Sequence, residues 1–345
     1  MVRSTQRSSQ KKWFRKHYNP LLVLGLGGIL LLLGLFASLA YGAADIPLSN
    51  IVTAFTTFDD STDHLIVRTM RLPRSLVAMM VGASLAVAGA LMQALTQNPL
   101  AAPGILGINS GAALGVVVVV FGLESSSPPL IAFVAFFGAF VAAIAVYFLS
   151  SLSPGGLTPL NLTITGAALS TLLSSFTTGI MILNQKTLEE VRFWLAGSVS
   201  GQDFNLFLTI LPWMVVGLLS AFALGRQMNA MSLGESVAQS LGQQTVPIKI
   251  ATTLTVVVLA GSAVALAGPI GFVGLFVPHL VRGVIGVDYR WVLPISALVG
   301  GALLLWADLA ARWILRPQEL PVGVMMALLG APFLLYLIRY RVKRA

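Results

Sequence analysis

Three arginines spaced three apart, Arg68, Arg71 and Arg74, stand just ahead of a long apolar run, and a second basic pair, Arg312 and Arg316, flanks another with Glu319 beyond. Their chemistry is charge pairing. A guanidinium holds a carboxylate in a forked hydrogen bond, so such groups at a membrane margin need an acidic partner or a solvated loop. Asp308, beside Trp306 near the end of its own apolar segment, is the natural acid for Arg312, because an unpaired carboxylate there would be costly. The second polar constellation is residues 225–245, GRQMNAMSLGESVAQSLGQQT. Ser232 followed three residues later by Glu235 reads as a capping box. Leu233, Val237 and Leu241 recur at four-residue spacing on one helical face. A short helix at the membrane surface is expected, and its modest charge argues against a strong lipid anchor. A protein docking site is the favoured reading.

The remaining inventory excludes more than it offers. There is no cysteine, so thiolate chemistry, disulfides and cysteine-bound metal are out. No lysine follows a glycine, which removes the GxxxxGK[ST] phosphate loop; if ATP drives transport, another chain must bind the nucleotide. His, Asp and Glu converge nowhere within the apolar segments, so neither a catalytic centre nor a metal site is expected, and no cofactor is expected on this chain. His279, beside Pro278, reads as a packing residue. The tyrosines and methionines are dispersed rather than gathered as a haem or iron site would need.

What positions these groups is a membrane-spanning framework. Of the 345 residues 57% are hydrophobic and 10% charged. At about 20 apolar residues per crossing, ten segments are expected: 20–41, 73–95, 104–122, 130–149, 160–183, 205–224, 246–267, 272–286, 291–311 and 321–339. The segment 272–286 is the shortest and begins among glycines. Ten crossings put both termini on one side. The run Arg3, Arg7, Lys11, Lys12, Arg15 and Lys16 resembles the basic region of a signal peptide, but the long apolar stretch that follows is read as helix one of a single transmembrane domain, 20–345, behind a basic segment, 1–19. With cytoplasmic termini, those six residues join Arg226, Lys249, Arg282, Arg290, Arg339, Arg341, Lys343 and Arg344 on the inner side, fourteen of the 21 basic residues. The net charge of +9 is therefore topological; no nucleic-acid motif accompanies it.

Gly82 to Gly89 reads GASLAVAG and Gly261 to Gly268 reads GSAVALAG. Five crossings separate the two, so the copies enter the membrane in opposite directions, as in an inverted repeat. Two stretches are interrupted by helix breakers: Asn98, Pro99 and Pro103 in one, Gly268, Pro269 and Gly271 in the other. Broken backbone at membrane depth is tolerated only where protein or a water-filled cavity satisfies it, so both stretches are candidates for a translocation route or for turns between helices.

Four separated motifs now carry a resemblance: RLPRSLVAMMVGASLAVAGALMQALTQNPLAAPGILG (Arg71 to Gly107), MSLGESVAQSLG (Met231 to Gly242), GPIGFVGLFVPHLVR (Gly268 to Arg282) and ELPVGVMMALLGAPFLLYLI (Glu319 to Ile338). In this order they resemble the permease subunit of the iron-siderophore, haem and cobalamin ABC importers. The resemblance implies an all-α type II importer permease with ten transmembrane helices in a bacterial cytoplasmic (inner) membrane. It further implies a second permease copy or close paralogue, two cytoplasmic ATPase subunits that carry ATP and Mg, and an extracytoplasmic substrate-binding protein, all in contact with membrane lipid. By the same resemblance Ser232, Leu233, Gly234, Glu235, Val237, Leu241 and Gly242 fall in the ATPase-coupling helices of about 230–242, and Arg71, Arg74 and Arg312 match arginines that meet glutamates of the binding protein. Ferric siderophore is the expected cargo, with haem and cobalamin as alternatives. An ion-coupled secondary transporter would want carboxylates at the centre of the bundle, where Asp308 alone comes close.

Overall fold

The computed structural model describes residues 18–42, 46–315 and 318–341. Most of the basic segment 1–19, together with Arg316, Lys343 and Arg344, lies outside the described residues. The described chain is helical throughout: α1 (Pro20–Ala40), α2 (Leu48–Thr56), α3 (Thr62–Leu65), α4 (Leu72–Thr96), α5 (Ile108–Leu123), α6 (Pro128–Leu152), α7 (Pro159–Leu183), α8 (Gln185–Leu195), α9 (Phe204–Ala223), α10 (Gly225–Ser232), α11 (Glu235–Ser240), α12 (Thr245–Ala267), α13 (Val273–Ile285), α14 (Tyr289–Ile314) and α15 (Val322–Arg341). Ten of these, α1, α4 to α7, α9 and α12 to α15, coincide with the ten expected segments. Seven of the apolar helices are long enough to cross a membrane unaided, with α3 and α4 joined through a π-helical stretch, Ile66–Arg71, into one of them; α5, α13 and the apolar part of α15 are shorter. The turns 97–107, 153–158, 224–244 and 286–288 and both described chain ends share one face, called here the terminal face. The segments 41–61, 184–203 and 315–321 form the opposite face.

At the centre stand α4 and α12, whose side chains are mostly buried. Close approach there depends on missing side chains: a Cβ on Gly89 would collide with the backbone of Gly274, so α4 and α13 cross with their main chains in contact. That contact also explains the short segment. At about 1.5 Å per residue the 13 residues of α13 cover roughly 20 Å, and the helix begins beside the middle of α4 rather than at the membrane surface. The descent from the end of α12 is made by Gly268–Phe272. Gly268 has φ +69° and sits against the carbonyl of Trp194, a position no side chain could share, while Ser198 N–H donates to the Ala267 carbonyl at 2.8 Å.

The packing follows an inverted repeat of five crossings. Where α4 packs on α14, α12 packs on α6; α5 lies on α6 as α13 lies on α14. The symmetry is incomplete. Trp306 Nε1 donates to the Leu30 carbonyl at 3.2 Å to join α14 to α1, but the equivalent α6 and α9 leave a crevice of about 340 Å³ lined by Phe133, Phe136, Ile210 and Trp213.

Three surface elements, α2, α3 and α8, were not expected from sequence. Each is short and amphipathic or polar, and lies where the apolar count sees only a loop.

Candidate functional site

Polar groups gather at four places. On the opposite face the arginines converge as the sequence suggests, but turned inward. Arg74, at the start of α4, grips Asp308 of α14 from Nε and Nη2 at 2.8 to 3.1 Å. Its Nη1 donates to Glu319 at 2.6 Å and to Ser200 at 3.1 Å. Arg312 reaches the same Asp308 carboxylate at 3.2 Å and donates to Ser38 Oγ at 2.6 Å. Arg71 donates to the carbonyls of Leu39 and Ala40 at 2.6 and 2.8 Å, closing the end of α1. The Asp308 side chain is 1% exposed and that of Arg312 3%. Arg312 is thus the expected partner of Asp308, but Arg74 is the stronger one. Arg71 and Arg312 were expected at a docking rim; the structure buries both, because the last carbonyls of α1 need donors and these guanidinium groups supply them. Of the three, only Arg74 opens toward the surface, through Glu319. Burial pushes the Glu319 carboxyl up, yet the Arg74 hydrogen bond and charge, with Ser200 and Arg312, outweigh it and leave its pKa below the usual carboxylate value.

On the terminal face, residues 225–240 form two helices rather than one. Ser232 closes α10, its Oγ donating to the Asn229 carbonyl at 2.8 Å, and Gly234 turns the chain at φ +116° before α11. The expected capping box therefore does not form: Ser232 has helical neighbours on its N-terminal side and cannot cap the helix that follows. Glu235 instead faces α12, meeting Lys249 Nζ at 2.6 Å and accepting from Thr245 Oγ1 at 3.0 Å. The Lys249 hydrogen bond, helped by Thr245 against partial burial, holds the Glu235 carboxyl below its ordinary pKa. Leu233, Val237 and Leu241 remain exposed together, and Gly242, at φ +79°, ends the element. The pair is anchored to α14 through Asn229, whose amide donates to Asp288 Oδ1 at 2.8 Å and accepts from Tyr289 N–H at 2.7 Å. The Arg290 hydrogen bond, chiefly, lowers Asp288 to a pKa of about 2.

The two interrupted stretches meet inside the bundle. After α4, Gln97 is left-handed at φ 51°, Asn98 Oδ1 accepts from Leu100 N–H at 2.9 Å, and Pro99 leads into a 3-10 turn, Pro103–Leu106. Gln93 stitches this stretch to the other break: its amide donates to the carbonyls of Ala101, Gly274 and Leu275 at 3.2 to 3.3 Å, and its oxygen accepts from Arg282. Pro103 touches Gly274, while Pro269 and Gly271 lie on the descent into α13. The carbonyls that these breaks expose thus find donors within protein, as membrane depth requires.

The fourth place was missed in the sequence. Helix α7 is the least buried of the seven long apolar helices, yet one exposed side carries Thr171, Ser174, Ser175 and Thr178. With Ser170, Gly179 and Ile182 these line a shallow groove of about 650 Å³. Thr171 and Ser175 return hydrogen bonds to carbonyls one turn back, which permits a hydroxyl face within a membrane. The signal was present as hydroxyls at three- and four-residue spacing in an otherwise apolar helix. Among the described residues no group of His, Asp and Glu could hold a metal ion.

The family model described as the FecCD transport family matches residues 30–340. The chain belongs to the FecCD transport family. Among relatives, the probable siderophore transport system permease protein YfiZ of Bacillus subtilis is 48% identical over 310 residues, covering 90% of this chain and 93% of that protein. The Fe(3+)-citrate import system permease protein YfmD of the same organism is 44% identical over 325 residues, covering 94% and 96%. A solved inward-facing conformation of a metal-chelate type ABC transporter superposes with a TM-score of 0.80 at 27% identity, over 93% of this chain and all of that one. Membership of the FecCD family makes this chain a non-catalytic membrane component.

Proposed function

We propose that this FecCD-family chain is the membrane-spanning subunit of an ATP-driven importer that carries ferric siderophore across the bacterial cytoplasmic membrane. The near full-length identity to siderophore and ferric-citrate permeases carries the reading. Two copies, or this chain and a close paralogue, enclose the route. The exposed hydroxyls of α7 support that arrangement, since a polar face on a spanning helix has little to gain from lipid. Two ATPase subunits dock on the terminal face, where Leu233, Val237 and Leu241 stand clear of the bundle, and the basic excess there makes that face cytoplasmic. A substrate-binding protein docks on the opposite face near Arg74 and Glu319, with Arg71 and Arg312 holding the end of α1 beneath it. The breaks at Asn98–Pro103 and Gly268–Gly271 give the bundle places to flex as it alternates between outward and inward openings.

The test is uptake into vesicles holding the permease, its ATPase and its binding protein, with radiolabelled ferric trihydroxamate and ferric citrate as cargo and haem and cobalamin as competitors. ATP-dependent accumulation of a ferric chelate is expected. Uptake of haem or cobalamin alone would move the cargo, and accumulation without ATP would overturn the importer reading in favour of ion coupling.

A further inference from the structure

A continuous set of polar contacts runs from the exposed pair α10–α11 to the hydroxyl-bearing helix α7. Glu235, in the first turn of α11, meets Lys249 Nζ at 2.6 Å. The same Nζ donates to the Leu157 carbonyl at 3.4 Å, in the turn that enters α7. That turn is fused to the helix: Thr158 Oγ1 caps it by accepting from Asn161 N–H at 3.1 Å, and the Asn161 amide donates back to the carbonyls of Pro154 and Gly156 at 3.0 and 2.8 Å. A push on α11 therefore reaches the entrance of α7 through one ammonium group. Lys249 is only 14% exposed at its side chain, and Tyr147 Oη, buried and without a hydrogen-bond partner, lines the same small cavity as Glu235 and Lys249. The cavity thus holds a polar group that the present arrangement leaves unused, placed where a shifted lysine or carboxylate would find it.

We propose that Lys249 is the positioning residue that couples the ATPase-docking helix to α7, by clasping Glu235 on one side and the Leu157 carbonyl on the other. The proposal rests on the importer reading above. It assigns no role in binding cargo or nucleotide to Lys249: the residue transmits movement because it is the shared donor of two elements that otherwise touch little. Thr245 steadies Glu235 but makes no bond to the turn, so its loss should matter less.

The test measures chelate accumulated per ATP hydrolysed in vesicles containing the whole complex. Lys249→Met and Glu235→Gln should each lower that ratio roughly tenfold, the size of one coupled hydrogen-bond network, while hydrolysis continues and the ATPase still co-purifies. The exchange Glu235→Lys with Lys249→Glu should not restore the ratio, because a carboxylate at 249 cannot donate to the Leu157 carbonyl, whereas Thr245→Val should leave it within about twofold. As a readout that needs no transport, Lys249→Met, which removes the donor to the Leu157 carbonyl, should speed amide hydrogen exchange in 153–162 of the purified permease. Unchanged ratios in the single variants, or unchanged exchange, would overturn the clasp while wild-type uptake leaves the importer reading intact. Wild-type vesicles that take up no chelate with ATP would overturn both.

Discussion

Asp308 is the carboxylate on which two buried guanidinium groups depend, and its removal should be among the most damaging single changes to this chain. Arg74 approaches it through two nitrogens at 2.8 to 3.1 Å and Arg312 at 3.2 Å, with the Asp308 side chain 1% exposed. In Asp308→Asn the shape is kept but Arg74 and Arg312 lose the carboxylate they share, and the Glu319 that still meets Arg74 is 32% exposed. Breaking a buried pair by removing one partner costs about 3 to 5 kcal/mol, because a charge is left without compensation in a poorly solvated place. A double variant, Asp308→Leu with Arg74→Met, removes one charge of each sign. Arg312 then keeps Ser38 Oγ at 2.6 Å and the carbonyls of Ser38 and Tyr41 at 3.3 Å, and Glu319 can turn to water. The double variant should therefore be more stable than Asp308→Asn despite two substitutions. Equilibrium unfolding of the purified chain in mixed micelles would read the difference. A loss below about 1 kcal/mol for Asp308→Asn, the scale of a solvated surface pair, would refute the argument, as would a double variant less stable than the single one.

Other perturbations follow from the same geometry. Gly89→Val should prevent the α4–α13 crossing, since its side chain would meet the Gly274 backbone rather than a movable side chain; a cost above the usual 1 to 3 kcal/mol for overpacking should appear as loss of folded protein on size-exclusion chromatography. Ser174→Leu, on the exposed side of α7, should leave unfolding unchanged and reduce chelate uptake several-fold, roughly 1 kcal/mol for one lost polar contact, whereas Leu183→Phe at the exposed end of that helix should do neither. The anchoring of α10 has a defined acid limit: Asp288 falls from 3.8 unfolded to about 2 folded, so its contribution is complete above the unfolded value and is lost as pH drops through about 2. Amide exchange at Tyr289, whose N–H is held by Asn229, should stay slow at pH 5 and accelerate only in strong acid; acceleration at pH 5 would contradict the assignment.

The apolar pattern carried the framework because membrane crossing is set by length and hydropathy, which a sequence displays directly. It left a residue's contacts open wherever they depended on what lies across the bundle. Ser232 and Glu235 have the spacing of a capping box, but Gly234 turns the chain between them and Glu235 finds a stronger partner in Lys249, a cation fourteen residues away. Arg74 lies 234 residues from Asp308 in sequence; Arg312, four residues away, was the partner a linear reading could see. Arg71 and Arg312, whose charge suggested a rim, are buried, where both donate to carbonyls at the end of α1. In each case the local rule identified the right residue type and the tertiary contact chose its role. Helix α13 shows the converse: its shortness and flanking glycines were visible in the sequence as an anomaly, and they mark the place where the chain starts a helix at membrane depth against Gly89. The shortness of α13 is thus explained by where it starts, with the Gly274 backbone against Gly89 of α4. Shifting α13 against α4 would require the Gln93 contacts to Gly274 and Leu275 to break, and these two helices meet with no side chain between them to absorb the change.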